Sequence, residues 1–439
     1  MKLKIFVPAL LALAACGETT GSVEPDAAVE TVRQAALPLR GTAADYDPLL
    51  AAIGDTRFVM LGEATHGTHE FYAERARISR RLIDERGFAA IVVEGEWPAS
   101  RRVNQYIRGQ GSDATPEAAL SGFTEFPYWM WRNTVVRDLV RDLRALNAAR
   151  PAAARVGFYG MDVYSLYPSM DDVVAYLSRV DAAAADRART RYACFAAHNR
   201  SPERYASAAA SNPAASCATF AAAQLQEMEQ RAAAAPADPE LFDAVQSARV
   251  VRSAEEFYRT NAFGGHTAWN ARDRHMAETL AALSAHLEAR GQSGKIAVWA
   301  HNSHVGDVRA TEMGAQGQLT VGQLMRERSG AFLLGFTTYE GEVTAATFWG
   351  GPGLETALRP ALPESFANLF HQTEIASFLL ILRGSPAAPA LREERLERAV
   401  GVIYAPRTER QSHYFTARLA DQFDAVIHVD RTTAVEQLR

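Results

Sequence analysis

Short apolar runs alternate with longer stretches of helical period along this chain. The runs fall at 58–61, 90–93, 156–159, 296–299, 332–336, 378–382, 402–404 and 426–429. Each is short for a helix and apolar at successive positions, as expected of strands buried on both faces. Strand alternating with helix predicts an α/β fold: layered, with a mostly parallel sheet flanked by helices. Between about 169 and 290 no such run occurs. That stretch is rich in Ala and Arg and predicts a mainly helical insertion covering the cleft. Its alanine-heavy part, 206–236, favours helix because alanine has the best helix propensity.

In parallel sheets ligands bind beyond the carboxyl ends of the strands. The residues just past each of the first four predicted strands are therefore informative. After 58–61 comes Gly62-Glu63-Ala64-Thr65-His66-Gly67, and after 90–93 comes Glu94-Gly95-Glu96-Trp97. Gly160-Met161-Asp162 succeeds the next run, and Ala300-His301-Asn302-Ser303-His304 the one after it. Four strand ends thus deliver carboxylates and imidazoles to one side of the sheet.

Two predicted helices carry a charge on their apolar stripe. In 69–86, Arg75 lies four residues after Phe71 and three before Ile78. If the stripe packs on the sheet, this guanidinium points inward and needs a partner, for which Glu63 and Glu94 stand nearest; otherwise it snorkels along the helix edge. In 266–288, Asp273 sits among Trp269, Met276, Leu280, Leu283 and Leu287. It reads equally as an ion-pair partner or as a site residue.

Composition adds an address. Lys2 and Lys4 precede an apolar run too short to span a bilayer, which ends in Leu13-Ala14-Ala15-Cys16. This resembles a bacterial lipoprotein signal (1–15) with Cys16 as the lipid anchor. Residues 16–34 then form a lipidated tether and 35–439 the folded part, placed in the envelope on the periplasmic side, with outer-membrane sorting. Export to an oxidising compartment would let Cys194 and Cys217 pair. The chain has 46 basic against 51 acidic residues and no long basic run. That excludes a nucleic-acid partner and favours a small molecule.

If Glu63, His66, Glu94, His301 and His304 converge, general-base catalysis on water is the economical chemistry, with Arg75 keeping the carboxylates ionised. Ser303 lacks a Gly-x-Ser-x-Gly elbow. The same ligand types suit a metal-dependent hydrolase, although the His-Glu-x-x-His order of zinc proteases is missing. A haem-binding envelope lipoprotein is a third reading. His198, His275, His286, His371 and His428 read as ordinary surface or core residues.

Taken in order, Leu61-Gly62-Glu63-Ala64-Thr65-His66-Gly67-Thr68, Val93-Glu94-Gly95, Gly160-Met161-Asp162, Asn270-Ala271-Arg272-Asp273, Trp299-Ala300-His301-Asn302-Ser303-His304 and Ser412-His413-Tyr414-Phe415 resemble the erythromycin esterase family. The resemblance runs from about 35 to the C-terminus. It implies a layered α/β core, hydrolysis of a carboxylic ester or lactone without a required metal, and water activation by His66. His301 and His304 would position the water or protonate the leaving alcohol, supported by Glu63, Glu94 and Arg75. Asp162, Asp273 and His413 are the expected substrate-side residues, and Arg407 and Arg410 either touch ligand or brace the C-terminal segment. The substrate itself stays open, a macrolide-like ring ester included.

Overall fold

The computed structural model describes residues 27–438. The expected signal and Cys16 lie outside them. Eleven strands are present among the described residues: β1 (Leu37–Pro38), β2 (Phe58–Leu61), β3 (Ala90–Glu96), β4 (Gly157–Asp162), β5 (Ile296–Trp299), β6 (Phe332–Ala345), β7 (Leu354–Leu358), β8 (Ser377–Ile381), β9 (Arg395–Arg398), β10 (Tyr414–Ala417) and β11 (Ala425–Thr432). Nine of them form one sheet in the order β1-β8-β11-β6-β2-β5-β3-β4, with β7 on the far stretch of β6. The six strands from β11 to β4 are mutually parallel, and β8, β1 and β7 are antiparallel additions. The architecture is the mostly parallel, helix-flanked sheet that the pattern predicts.

Alternation within the strands explains why they are apolar throughout. Val59 and Leu61 of β2 face one layer, where Phe71, Ile78 and Leu82 of helix His69–Arg86 pack on them. Phe58 and Met60 face the other, against Met276, Leu280, Leu283 and Leu287 of helix His266–Ala289. Both faces are dry, so no polar position is available in these strands. The run at 402–404 is not a strand. It meets β6's continuation at a single bridge, Ala346 to Ile403, and Tyr404 is buried in a small cluster with Val343 and Leu358.

Six helices follow one another from Leu166 to Ala289. The first five, through Asn261, share a core of their own, with Leu177, Tyr205, Met228 and Val251 among its members. The sixth, His266–Ala289, leaves that core and packs on the sheet. Cys194 and Cys217 form a disulfide that ties the loop after helix Ala182–Tyr192 to the start of helix Ala218–Ala234. No described helix is long and apolar enough to cross a membrane.

Two glycines let the β2 loop lie as close as it does. A Cβ on Gly62 would stand 2.2 Å from Asn302 Oδ1, and one on Gly67 would stand 1.8 Å from the Thr344 carbonyl oxygen. The loop is therefore wedged between the β5 loop and β6, and fixed before any side chain is considered.

The disulfide closes a loop of 23 residues in sequence separation. Replacing both cysteines by serine should lower stability by about 2–4 kcal/mol. Chemical denaturation followed by circular dichroism, with the unreduced parent as reference, measures the difference.

Candidate active site

The loops after β2, β3, β4 and β5 meet at the carboxyl edge of the sheet, where they floor a cavity of about 260 Å³. Its floor carries His66, Glu94, Asp162, Arg272, His301 and His304. Its walls come mainly from residues 123–131, from Trp349 and from 399–402. A second space of about 420 Å³ continues outward through Glu96, Glu125, Phe126, Tyr164 and Trp349. The helical part, through Arg200, Glu203 and Tyr258, rims this outer space and not the inner cavity.

Three imidazoles reach the floor and differ in what their nitrogens do. His66 Nδ1 lies 2.9 Å from Glu63 Oε1, and Arg75 donates to Glu63 Oε2 at 2.8 Å. Arg75 is fully buried, as the inward reading of its helix requires, and stacks on Tyr72 and Trp299. Among the described residues its carboxylate partner is Glu63, and Glu94 is held by Arg272. With Arg75 donating to its other oxygen, Glu63 serves His66 as the acceptor, which puts the His66 proton on Nδ1. His66 Nε2 is left without a partner among the described residues, at a ring 7 % exposed that lines the cavity.

The other two rings are engaged at both nitrogens. His301 Nδ1 accepts from the Ser303 amide (3.2 Å), so that His301 itself caps the short helix Asn302–Val305, and it faces Ser303 Oγ at 2.8 Å. Its Nε2–H therefore points at the Ala64 carbonyl, 3.2 Å away. Burial, then the neighbouring His66, pushes the His301 pKa well below the usual histidine range, so this ring is neutral. His304 Nε2 accepts from Arg272 Nη1 at 2.8 Å, which puts its proton on Nδ1, 2.9 Å from Asp273 Oδ2. Trp269 stacks on the same ring at 4.3 Å. Both rings, expected to handle water or the leaving group, line the cavity with their nitrogens engaged by protein partners.

Arg272 is a site residue that the sequence pattern does not single out. Its guanidinium makes a two-pronged contact with Asp162 (2.9 and 2.7 Å), donates to Glu94 Oε1 (2.6 Å) and meets His304. It lies on the same helical stripe as Asp273, three residues after Trp269 and four before Met276, so the periodicity that marks the aspartate applies to it equally. Burial raises the Glu94 pKa, but the Arg272 guanidinium and the His301 amide outweigh it and hold the carboxyl well below its usual range. Glu94 Oε2 accepts the His301 amide at 2.9 Å.

The remaining candidates occupy supporting places. Asp162 lines the cavity but is spent on Arg272, while Asp273 is fully buried under His304 and the Val321 amide. His413 lies outside the cavity lining. Its Nε2 accepts the Ala405 amide at 2.9 Å, and its carbonyl accepts from Ala399, so it braces the 399–405 segment. Arg410 pairs with Glu364, and neither it nor Arg407 lines the cavity. Among the described residues no group of three or more His, Cys, Asp or Glu is arranged to hold a metal ion. Where Glu94, Asp162 and His304 converge, the guanidinium of Arg272 fills the position. The metal and haem readings gain nothing from this donor set.

Behind the His301 loop, Asn302 donates to the buried Glu397 at 3.0 Å. Glu397 Oε2 and Gln422 Oε1 face no donor among the described residues, and burial pushes the Glu397 carboxyl up to about 8. The neutral acid is thus the form that the fold accommodates.

Two outcomes are expected. Arg272→Met leaves two buried carboxylates unpaired and should cost about 3–5 kcal/mol in a denaturant titration. A Glu raised to about 8 in the fold from 4.5 stabilises fully below 4.5 and loses that contribution as pH rises towards 8. The unfolding free energy of the parent should therefore fall more steeply over that window than that of Glu397→Gln.

Comparison with known proteins places this geometry. The sequence model described as erythromycin esterase matches residues 83–432. A stretch of 69 residues is 39% identical to a protein of Escherichia coli named erythromycin esterase type II, covering 16% of each chain. The chain thus matches only a small part of that relative's length. In fold it is similar to a crystal structure from Bacillus cereus (TM-score 0.79, 21% identity, 94% of this chain and 98% of that one). It is also similar to a succinoglycan biosynthesis protein (0.74, 21%, 95% and 100%) and to a histidine-to-asparagine variant of the erythromycin esterase EreC in its open conformation (0.67, 16%, 93% and 98%). The family model matches most of the chain, from before β3 through β11 and including helix His266–Ala289, while the β2 loop with His66 precedes the matched residues; on that match the protein belongs to the erythromycin esterase family.

Proposed function

We propose that this protein hydrolyses a carboxylic ester or lactone by a metal-independent route in which His66 activates water. The observation that carries the reading is the contrast among the three imidazoles: His66 alone turns an unpartnered ring nitrogen into the cavity, with the opposite nitrogen backed by Glu63 and Arg75. In the reaction, Nε2 takes a proton from water as the oxygen attacks the ester carbonyl. Glu63 stabilises the imidazolium that forms, and Arg75 holds Glu63 in place through its other oxygen. The tetrahedral intermediate then collapses, and the imidazolium returns the proton to the departing alkoxide, leaving acid and alcohol. Trp131 Nε1, on the cavity wall without an acceptor among the described residues, is a donor available to the carbonyl oxygen.

Ring lactones of the macrolide kind are the first class to assay, because the Escherichia coli relative carries that name. The proposal extends to the cell envelope, with Cys16 as lipid anchor; this part rests on the signal-like sequence alone.

In an assay of aryl esters and macrolides read by mass spectrometry, turnover should persist in EDTA. His66→Ala should lower kcat by about 10²–10⁴-fold, and Glu63→Gln should act in the same direction. Full activity in His66→Ala, or loss of activity in EDTA, would refute the mechanism.

A further inference from the structure

One buried acid takes no part in the chemistry assigned to the cavity. Glu397 lies in β9 behind the His301 loop, and its polar neighbours are two amide side chains, Asn302 and Gln422. Asn302 donates to Glu397 Oε1 at 3.0 Å. Glu397 Oε2 and Gln422 Oε1 are buried acceptors that face no donor among the described residues. Orphan acceptors are costly in a dry interior, and a proton on Glu397 is the donor that this pair lacks.

The two amides grip the two ends of one segment. Asn302 follows His301, and its backbone N–H donates to the Glu63 carbonyl at 2.8 Å. Its side chain donates to the Phe336 carbonyl and accepts the Phe336 amide, which fastens it to β6. Gln422 holds the far end: its carbonyl accepts the Asp307 amide at 3.1 Å, and its side-chain nitrogen packs on Gly306, where a Cβ would stand 2.8 Å away. Ser303 and His304 lie between these holds, with His301 adjoining.

Among the described residues no charged group makes an ion pair with Glu397, and those on the elements around it are engaged elsewhere. On its own strand Arg395 pairs with Glu393 at 3.9 Å, and Arg398 with Tyr414 and Glu409. β10 sets Phe415 opposite it. His371 of helix Phe366–His371 is held by Asp430, Asp421 of helix Leu419–Gln422 by Arg392 and Arg418, and His304 by Arg272 and Asp273.

We infer that Glu397 is a positioning residue: its carboxyl proton clamps the segment from His301 to Asp307 against the β2 loop and β6, and turnover falls when that proton leaves. For turnover the inference rests on the ester-hydrolase reading. Burial pushes this carboxyl up to about 8, against the hydrogen bonds of Gln422 and Asn302, so the proton leaves on the alkaline side of neutrality. A general base such as His66 gains activity as it loses its proton, so a falling alkaline limb needs another group. Glu96, on the cavity wall, is also pushed up to about 8, by burial and then by Glu125 and Asp162, and its variant is the control.

Two measurements on the full-length protein test the inference, one of them without substrate. Hydrogen–deuterium exchange, corrected for the intrinsic rise of exchange with pH, should show protection of 301–307 falling about tenfold in the parent between about pH 7 and pH 9, and by less than about twofold in Glu397→Gln. Over the same interval kcat on an ester should fall about tenfold in the parent and in Glu96→Gln, and by less than about twofold in Glu397→Gln. Unchanged protection in the parent would overturn the inference without any variant. An alkaline limb that survives in Glu397→Gln, or that vanishes in Glu96→Gln, would overturn it as well. The expected change in protection without hydrolysis of any ester would uphold the clamp and count against the hydrolase reading.

Discussion

Arg272 is the constraint on which the rest of the site depends. One guanidinium, contributed by the helix on the sheet's second face, draws together Glu94 at the end of β3, Asp162 at the end of β4 and His304 beyond β5. A positive charge at this depth is tolerable only if its donors are taken up by acceptors, and its planar fork matches a carboxylate two bonds at a time. The carboxylates are in turn tolerable only because of it. Three strand ends and a helix are therefore tied at one point, and through Glu94 the backbone of His301 is tied as well.

The mirror arrangement holds on the other face. Arg75, from helix His69–Arg86, reaches Glu63 and lies against Tyr72 and Trp299. The two buried arginines approach the sheet edge from opposite layers but do different jobs. Arg272 consumes the acceptors it meets, whereas Arg75 leaves one Glu63 oxygen to His66. That His66, of the three imidazoles on the floor, keeps a spare nitrogen among the described residues is the outcome of that difference.

Much of this is legible in the sequence, because the sheet is dry on both faces. Apolar runs at 58–61 and 296–299 coincide with β2 and β5, and an arginine on an apolar helical stripe has few places to go. β9 has no apolar signature because its residues, Arg395-Leu396-Glu397-Arg398, are mostly charged, with Glu397 and Arg398 buried by specific partners such as Asn302 and Tyr414. β7 is an exposed edge and β1 only two residues long, so neither stands out as a hydrophobic run. The hydrogen-bond partners of His301 and His304 are not legible at all. They depend on which atoms of Ser303, Ala64, Arg272 and Asp273 fall within hydrogen-bond reach, a matter of register between loops far apart in the chain.

The division between floor and walls has a consequence for how such a protein changes over time. The groups of the cavity floor stand on strand ends locked by Gly62, Gly67 and two buried arginines, so almost any replacement there damages the whole. The walls at 123–131 and at Trp349 belong to connecting segments, whereas 399–402 is bound to the β2 loop through Val400. Drift in the walls can alter which molecule is admitted while the bond-breaking apparatus is inherited intact. A lineage built this way diversifies its diet faster than its chemistry, and motif-level likeness within it tracks the reaction more closely than the compound consumed.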